Sequence, residues 1–334
     1  MNFMVRILSS VKKSLILAAF LTADYLLPCA AQTQQIQYGF NVRAPRDTEN
    51  QCSAIEKVFS QWQKDGVNTK MIMLRLNGGT ISQRTYPDSW TDDNIKRWAS
   101  VQKQFGCPFI FTINFNDTPQ NQFAFFTKLL QSGMQFAAIE LGNECYLKKF
   151  SASAVPPDTA EVSNRTINMT PEKYIMLSNE YISVFDRENL PFIVQGAPEK
   201  ESGVSQVWNT KITDAVNSKS FFTENIWISI HLYERDGNSS LDTAQINRLR
   251  SKIKSPVKIA VTESGVVPDA SVKTTQDFIK QEKNLMQRIM NTLHSGDILL
   301  NQVLYSDSSA SRAPVISPSG TETEKGKMIR HLFF

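Results

Sequence analysis

Residues 136–144 read FAAIELGNE. The run opens as an apolar, strand-forming segment, turns polar at Gly142 and closes on Asn143 and Glu144. Residues 257–263, VKIAVTE, repeat the form: a β-branched run that ends on a carboxylate, Glu263. Six further runs share that character: QYGFNV (37–42), MIMLRLN (71–77), PFIFTINF (108–115), FIVQGA (192–197), NIWISIHLY (225–233) and ILLNQVLY (298–305). All are short and rich in Ile, Val and Phe, as strands buried on both faces are. Between them lie segments whose apolar residues recur every three or four positions, the helical period. CSAIEKVFSQWQKDG, DNIKRWASVQKQFG and QDFIKQEKNLMQRIMNTLHSG are examples, and a last helix is expected at roughly GTETEKGKMIRHLFF.

Alternating βα units imply a parallel sheet, and eight of them imply a closed (β/α)8 TIM barrel, here as a single domain. An open doubly wound sheet would want a glycine-rich phosphate turn after its first strand, and GFNVRAPRDTEN has none. Helix-to-strand joins are short and carry Gly66, Gly106, Gly133 and Gly296 at helix ends. Strand-to-helix joins are longer and polar, the longest passing through VPPD and SNRTINMT after Glu144. In this fold the chemistry sits at the C-terminal ends of the strands, where those long loops gather.

Residues 1–31 read as a secretory signal peptide, leaving a catalytic barrel domain over 32–334. Arg6, Lys12 and Lys13 precede the apolar run SLILAAFLTA, and CAAQ offers cleavage after Ala31. A secreted or periplasmic protein is expected; a lipid anchor at Cys29 is the alternative, disfavoured by Pro28 directly before it. No integral membrane segment is expected in the mature chain, since the apolar run stops at Asp24, too short to span a bilayer. The formal charge of +4 comes without a basic cluster, which argues against a nucleic-acid partner. Cys52, Cys107 and Cys145 remain after cleavage, an odd set at unrelated spacing that gives neither a disulfide framework nor a zinc pattern. One pair is open to oxidation after export. Sequons at Asn164, Asn168 and Asn238 would carry glycans only on a eukaryotic secretory route.

Strands four and seven face each other across such a barrel, so Glu144 and Glu263 are expected to converge on one cleft. If strand alternation continues to Glu144, Gly142 and Glu140 share its barrel-facing side, while Asn143 and Leu141 point the other way or along the rim. Two convergent carboxylates suit glycoside hydrolysis: one protonates the leaving oxygen, the other attacks or activates water. The competing reading is a pair of buried or salt-bridged structural glutamates.

The pattern resembles clan A of the retaining glycoside hydrolases, barrel enzymes with Asn-Glu at the end of strand four and Glu at the end of strand seven. The resemblance implies Glu144 as general acid/base, Glu263 as nucleophile, and Asn143 as a hydrogen-bond partner of the sugar 2-hydroxyl. It extends to HLY on strand six, where His231 and Tyr233 fall near the expected nucleophile. A phenol within reach of Glu263 would keep that carboxylate ionised, and His231 would line the sugar site or orient a carboxyl; a packed Tyr and a backbone-satisfied His are the alternatives. Arg75 matches the arginine of strand two, a cation that favours the charged nucleophile, or else a structural partner of Glu140. Asn41, Asn114 and Asn116 are polar rim groups of low specificity. Where much of the clan places a Trp after strand eight this chain has VLYSDS, so Tyr305 is the expected sugar platform; the β-sandwich that several related families append is also missing.

A carbohydrate substrate and no cofactor follow from this reading, with the oligomeric state left open. Glu140, Glu144, His231 and Glu263 form a conceivable metal set, but no close His-x-His or His-Asp pairing supports it and the chain has only three histidines. A secreted, non-catalytic barrel that binds carbohydrate is the alternative function.

Overall fold

The computed structural model describes residues 36–78, 82–83, 87–147, 169–198, 203–234, 240–267, 274–301, 304–305 and 314–334. Eight strands, β1 (Gln37–Asn41), β2 (Ile72–Leu76), β3 (Phe109–Thr112), β4 (Phe136–Glu140), β5 (Phe192–Gln195), β6 (Ile226–Glu234), β7 (Ile259–Val266) and β8 (Ile298–Asn301), close into one barrel in chain order. Every neighbouring pair is parallel, including β1 with β8. The expected signal peptide and the sequons at Asn164, Asn168 and Asn238 lie outside the described residues.

The helices are α1 (Thr48–Lys64), α2 (Asp92–Phe105), α3 (Pro119–Gln131), α4 (Pro171–Phe185), α5 (Gly203–Asn217), α6 (Ser240–Lys252), α7 (Thr275–Met290) and α8 (Glu324–Phe333). Thr91, Thr118, Thr170, Thr274 and Thr323 each accept a backbone N–H as the N-cap of α2, α3, α4, α7 and α8. Such a cap contributes about 1 kcal/mol. The bottom joins turn at Gly66, Gly106, Gly133 and Gly296, all left-handed with φ between 70° and 91°. A side chain there would be strained, so these glycines are what keep the joins short. Among the described residues no helix is long and apolar enough to cross a membrane.

Two apolar layers follow from the two faces of each strand. Met73, Ile110, Ala138, Ile193, Trp227 and Ala260, with Ile298 and Leu300 of β8, form a separate cluster drawn from seven strands. By alternation, Met73 shares its face with Arg75, and Ala138 with Glu140, so this cluster is the barrel interior and the charges lie above it. The other faces, among them Phe40, Leu74, Phe111 and Val194, pack with Trp62, Trp98, Phe126 and Phe185 of the helices. Burying one such Phe stabilises by roughly 1.5–3 kcal/mol.

Cys52, Cys107 and Cys145 are buried free thiols, with no disulfide among them. The Lys325 ammonium lies 2.9 Å from Glu282, both buried, between α8 and α7. Glu282 also accepts the Val266 N–H at 2.7 Å and the Asn301 amide at 2.8 Å, tying the outer helices to β7 and β8.

Candidate active site

Above the apolar plug the barrel interior becomes ionic. Arg75, on β2, is fully buried. Its Nε donates to Glu140, Nη1 to Asn41 Oδ1 and to Glu263 Oε1 at 2.8 Å each, and Nη2 to Asn143 Oδ1 at 2.8 Å. The two roles open to Arg75, counterion of Glu140 and neighbour of Glu263, are both filled. Asn41 completes the frame by donating to the carbonyls of Thr262 at 2.9 Å and Asn301 at 3.0 Å. It thus braces β1 against β7 and β8 at the strand ends. Asn114 and Asn116 are engaged at the end of β3: the Asn116 backbone N–H donates to Asn114 Oδ1 at 2.9 Å, and the Asn116 side-chain amide donates to Gln83 O at 2.9 Å.

Glu263 lies within β7, three residues before its end. The β6–β7 register shifts between Ile230 and His231, so that Ile230 pairs with Val261 but His231 with Glu263. A bulge of this kind re-aims side chains, and here it brings His231 beside Glu263. The Tyr233 hydroxyl donates to Glu263 Oε2. His231 Nδ1 stands 3.2 Å from Glu144 Oε1 and 3.6 Å from Glu263 Oε2, a ring nitrogen between two carboxylates. Burial alone would push the Glu263 carboxyl up; the charges of His231 and Arg75, with hydrogen bonds from Tyr233 and Arg75, outweigh it and hold the group well below the usual carboxylate range. Burial would likewise lower His231, but Glu263 and Glu144 overcome it and raise the imidazole above its ordinary value.

The route by which Glu144 reaches this cluster differs from strand alternation. β4 ends at Glu140. The chain then turns through Gly142 at φ 82° and Glu144 itself at φ 47°, a left-handed conformation that is costly for a side chain. A Cβ on Gly142 would lie 2.6 Å from Cys145 Sγ, so the turn requires glycine. Leu147 N donates to Glu144 O at 2.8 Å within the turn, and two bonds anchor it from outside: Cys145 N donates to Gln195 Oε1 at 2.9 Å and Tyr174 OH to Leu141 O at 2.9 Å. A second correction concerns Asn143, which does not point away from the barrel. The left-handed turn brings its side chain onto Arg75, fully buried, with Nδ2 unpartnered among the described residues.

Glu144, His231 and Glu263 each present an atom within 4.8 Å of the other two. Arg75, Asn143, His231, Tyr233, Glu144 and Glu263 are therefore neighbours in one cluster. Tyr305 lies past the end of β8, buried, with its backbone bridged to Ile316. Two contributors carry no signal in the sequence. Gln83, in the β2–α2 join, donates to the Asn143 carbonyl and leaves Oε1 buried and, among the described residues, unpartnered. Tyr146 reaches Glu144 across the turn. Loop residues follow no period, so only the turn geometry exposes them. The triad Glu144, His231 and Glu263 is also a spacing that a divalent ion could use, although His231 Nδ1 already faces both carboxylates.

No family model matches the chain, and no curated protein matches it. Solved structures similar to it include the β-glucosidase of Pyrococcus furiosus, with TM-score 0.55 and 11% identity over 90% of this chain and 95% of that one. The β-glycosidase of Thermosphaera aggregans gives TM-score 0.54 and 11% identity, covering 90% of this chain and 96% of that one. β-Glycosidase BGL167 gives 0.57 and 10%, covering 86% of each chain. At such identity the likeness is one of fold. The resemblance to barrel glycosidases that the strand-end residues suggest is matched by that fold.

Proposed function

We propose that the chain is a secreted glycoside hydrolase that cleaves O-glycosidic bonds of an oligo- or polysaccharide with retention of configuration. The observation that carries the reading is the approach of two carboxylates, an oxygen of Glu144 lying within 4.8 Å of one of Glu263. Retaining enzymes hold their carboxyls about 5–5.5 Å apart, whereas inverting ones leave about 6.5–9.5 Å for a water. Glu263, ionised beside Arg75 and Tyr233, attacks the anomeric carbon as the C–O bond to the leaving group breaks. Glu144 gives that oxygen its proton, then takes one from the water that hydrolyses the glycosyl-enzyme. Asn143 Nδ2, buried and without a partner among the described residues, is free to donate to a sugar hydroxyl beside the nucleophile. His231 and Arg75 line and charge the same floor, and Tyr305, buried just past the end of β8, would have to be uncovered for its ring to stack on a sugar. The solved glycosidases of like fold support the class of reaction and leave sugar and linkage unspecified.

The test is a screen of aryl glycosides and of plant and microbial polysaccharides, with Glu144→Ala and Glu263→Ala as controls. Turnover by the wild type alone supports the enzyme. Retained carbohydrate binding with no turnover of any substrate favours the alternative, a non-catalytic binding barrel. Activity lost to a chelator and restored by a divalent ion would favour a metal at Glu144, His231 and Glu263 instead. Export is part of the proposal: the mass of protein recovered outside the producing cell should correspond to a chain starting at Gln32, and an intact Met1 on cytosolic protein would contradict it.

A further inference from the structure

Tyr146 follows Glu144 by two residues in the turn after β4. Its hydroxyl is 3.4 Å from Glu144 Oε1, the same oxygen that faces His231 Nδ1 at 3.2 Å. Both contacts fall on Oε1 rather than Oε2. The Tyr146 ring stands edge-on to Trp208 of α5, with centroids 6.0 Å apart and planes at 72°. Trp208 is itself fixed by its indole N–H, which donates to Gln195 O at 2.8 Å. Gln195 also accepts the Cys145 N–H with its side chain. The strand end, the helix and the turn thus brace one another around Glu144.

Resting on the glycosidase reading above, we propose that Tyr146 is a positioning residue for the general acid. Its hydroxyl and His231 hold Oε1 of Glu144, so that Oε2 is the oxygen that carries the proton to the leaving group. The division of labour is needed because Glu144 is held in a left-handed backbone conformation at φ 47°, and a carboxyl on a turn has more freedom than one on a strand. An acid that rotates away from the glycosidic oxygen costs rate only where protonation matters. Burial, with the charges of Glu144 and Glu263 nearby, raises the Tyr146 phenol well above its ordinary value, so it remains an O–H donor across the working pH range.

The experiment compares substrates that need the acid with substrates that do not. Tyr146→Phe removes one oxygen and keeps the ring against Trp208, and a thermal melt by circular dichroism confirms the fold. Its loss of kcat/KM on an alkyl glycoside should exceed its loss on a dinitrophenyl glycoside by roughly ten- to a hundredfold, a part of the roughly 10²–10⁴-fold that a general acid contributes. In a Glu144→Gln background the same substitution should add less than about twofold, since a residue acting through Glu144 has nothing left to position. Equal losses on both substrates, or a full additional loss in the Glu144→Gln background, would overturn the inference. Selective loss in Glu144→Gln with none in Tyr146→Phe would overturn this inference alone. A wild type that turns over no glycoside, or a Glu144→Gln variant that matches it, would instead remove the functional reading on which it rests.

Discussion

Removing the Arg75 guanidinium leaves Glu140 and Glu263 inside the barrel with no cation between them. Both carboxylates are buried, and Arg75 is the group that donates to each. Breaking a buried pair from one side costs roughly 3–5 kcal/mol, so Arg75→Met should lower the urea midpoint by a matching amount. A stability within about 1 kcal/mol of wild type would show that the ionic floor is not structural. Tyr233 acts on a single oxygen of Glu263, and its effect has a definite sign. A hydrogen bond to the charged form holds a carboxyl low, so Tyr233→Phe should raise it. The acid limb of kcat/KM, which reports the free nucleophile, should then move to higher pH by roughly half to one unit. A limb that stays in place would detach Tyr233 from the nucleophile. The same depressed Glu263 contributes stability that is present above the ordinary carboxylate range and lost as pH falls through its low folded value.

At the scale of elements, much was legible because burial on both faces writes a plain apolar run. All eight strands appear where IWISIHLY, IMLRL and their counterparts mark them, and the glycines at 66, 106, 133 and 296 close the joins as expected. What was not legible is what departs from a regular period. Strand alternation puts Asn143 outside, but β4 stops at Glu140 and a left-handed turn swings Asn143 inward. The bulge that pairs His231 with Glu263 leaves no trace in composition. Nor does the ion pair of Glu282 with Lys325, since its partners sit on different helices. Lys325→Met should leave Glu282 buried without its cation, and roughly 3–5 kcal/mol of stability should be lost. A melt unchanged from wild type would show that the Val266 and Asn301 donors satisfy Glu282 without the lysine.

For the whole molecule, closure of the barrel is what makes residues from β2, β4, β6 and β7 into neighbours. Each strand contributes one or two polar side chains above the apolar plug, and their meeting point is fixed by strand order. That is why the carboxylate pair could be inferred from ordinal positions, while the supports supplied by loops could not. The central claim is that Glu263 attacks the sugar while Glu144 manages the proton. It is tested most directly by the product that Glu263→Ala forms from an activated aryl glycoside in the presence of azide, with the anomeric configuration read by NMR. Without azide the variant should be inert. With azide the small anion takes the vacated face, displaces the aryl group in one step, and leaves a glycosyl azide of inverted configuration. Hydrolysis near the wild-type rate without azide, or a glycosyl azide of retained configuration, would contradict the account.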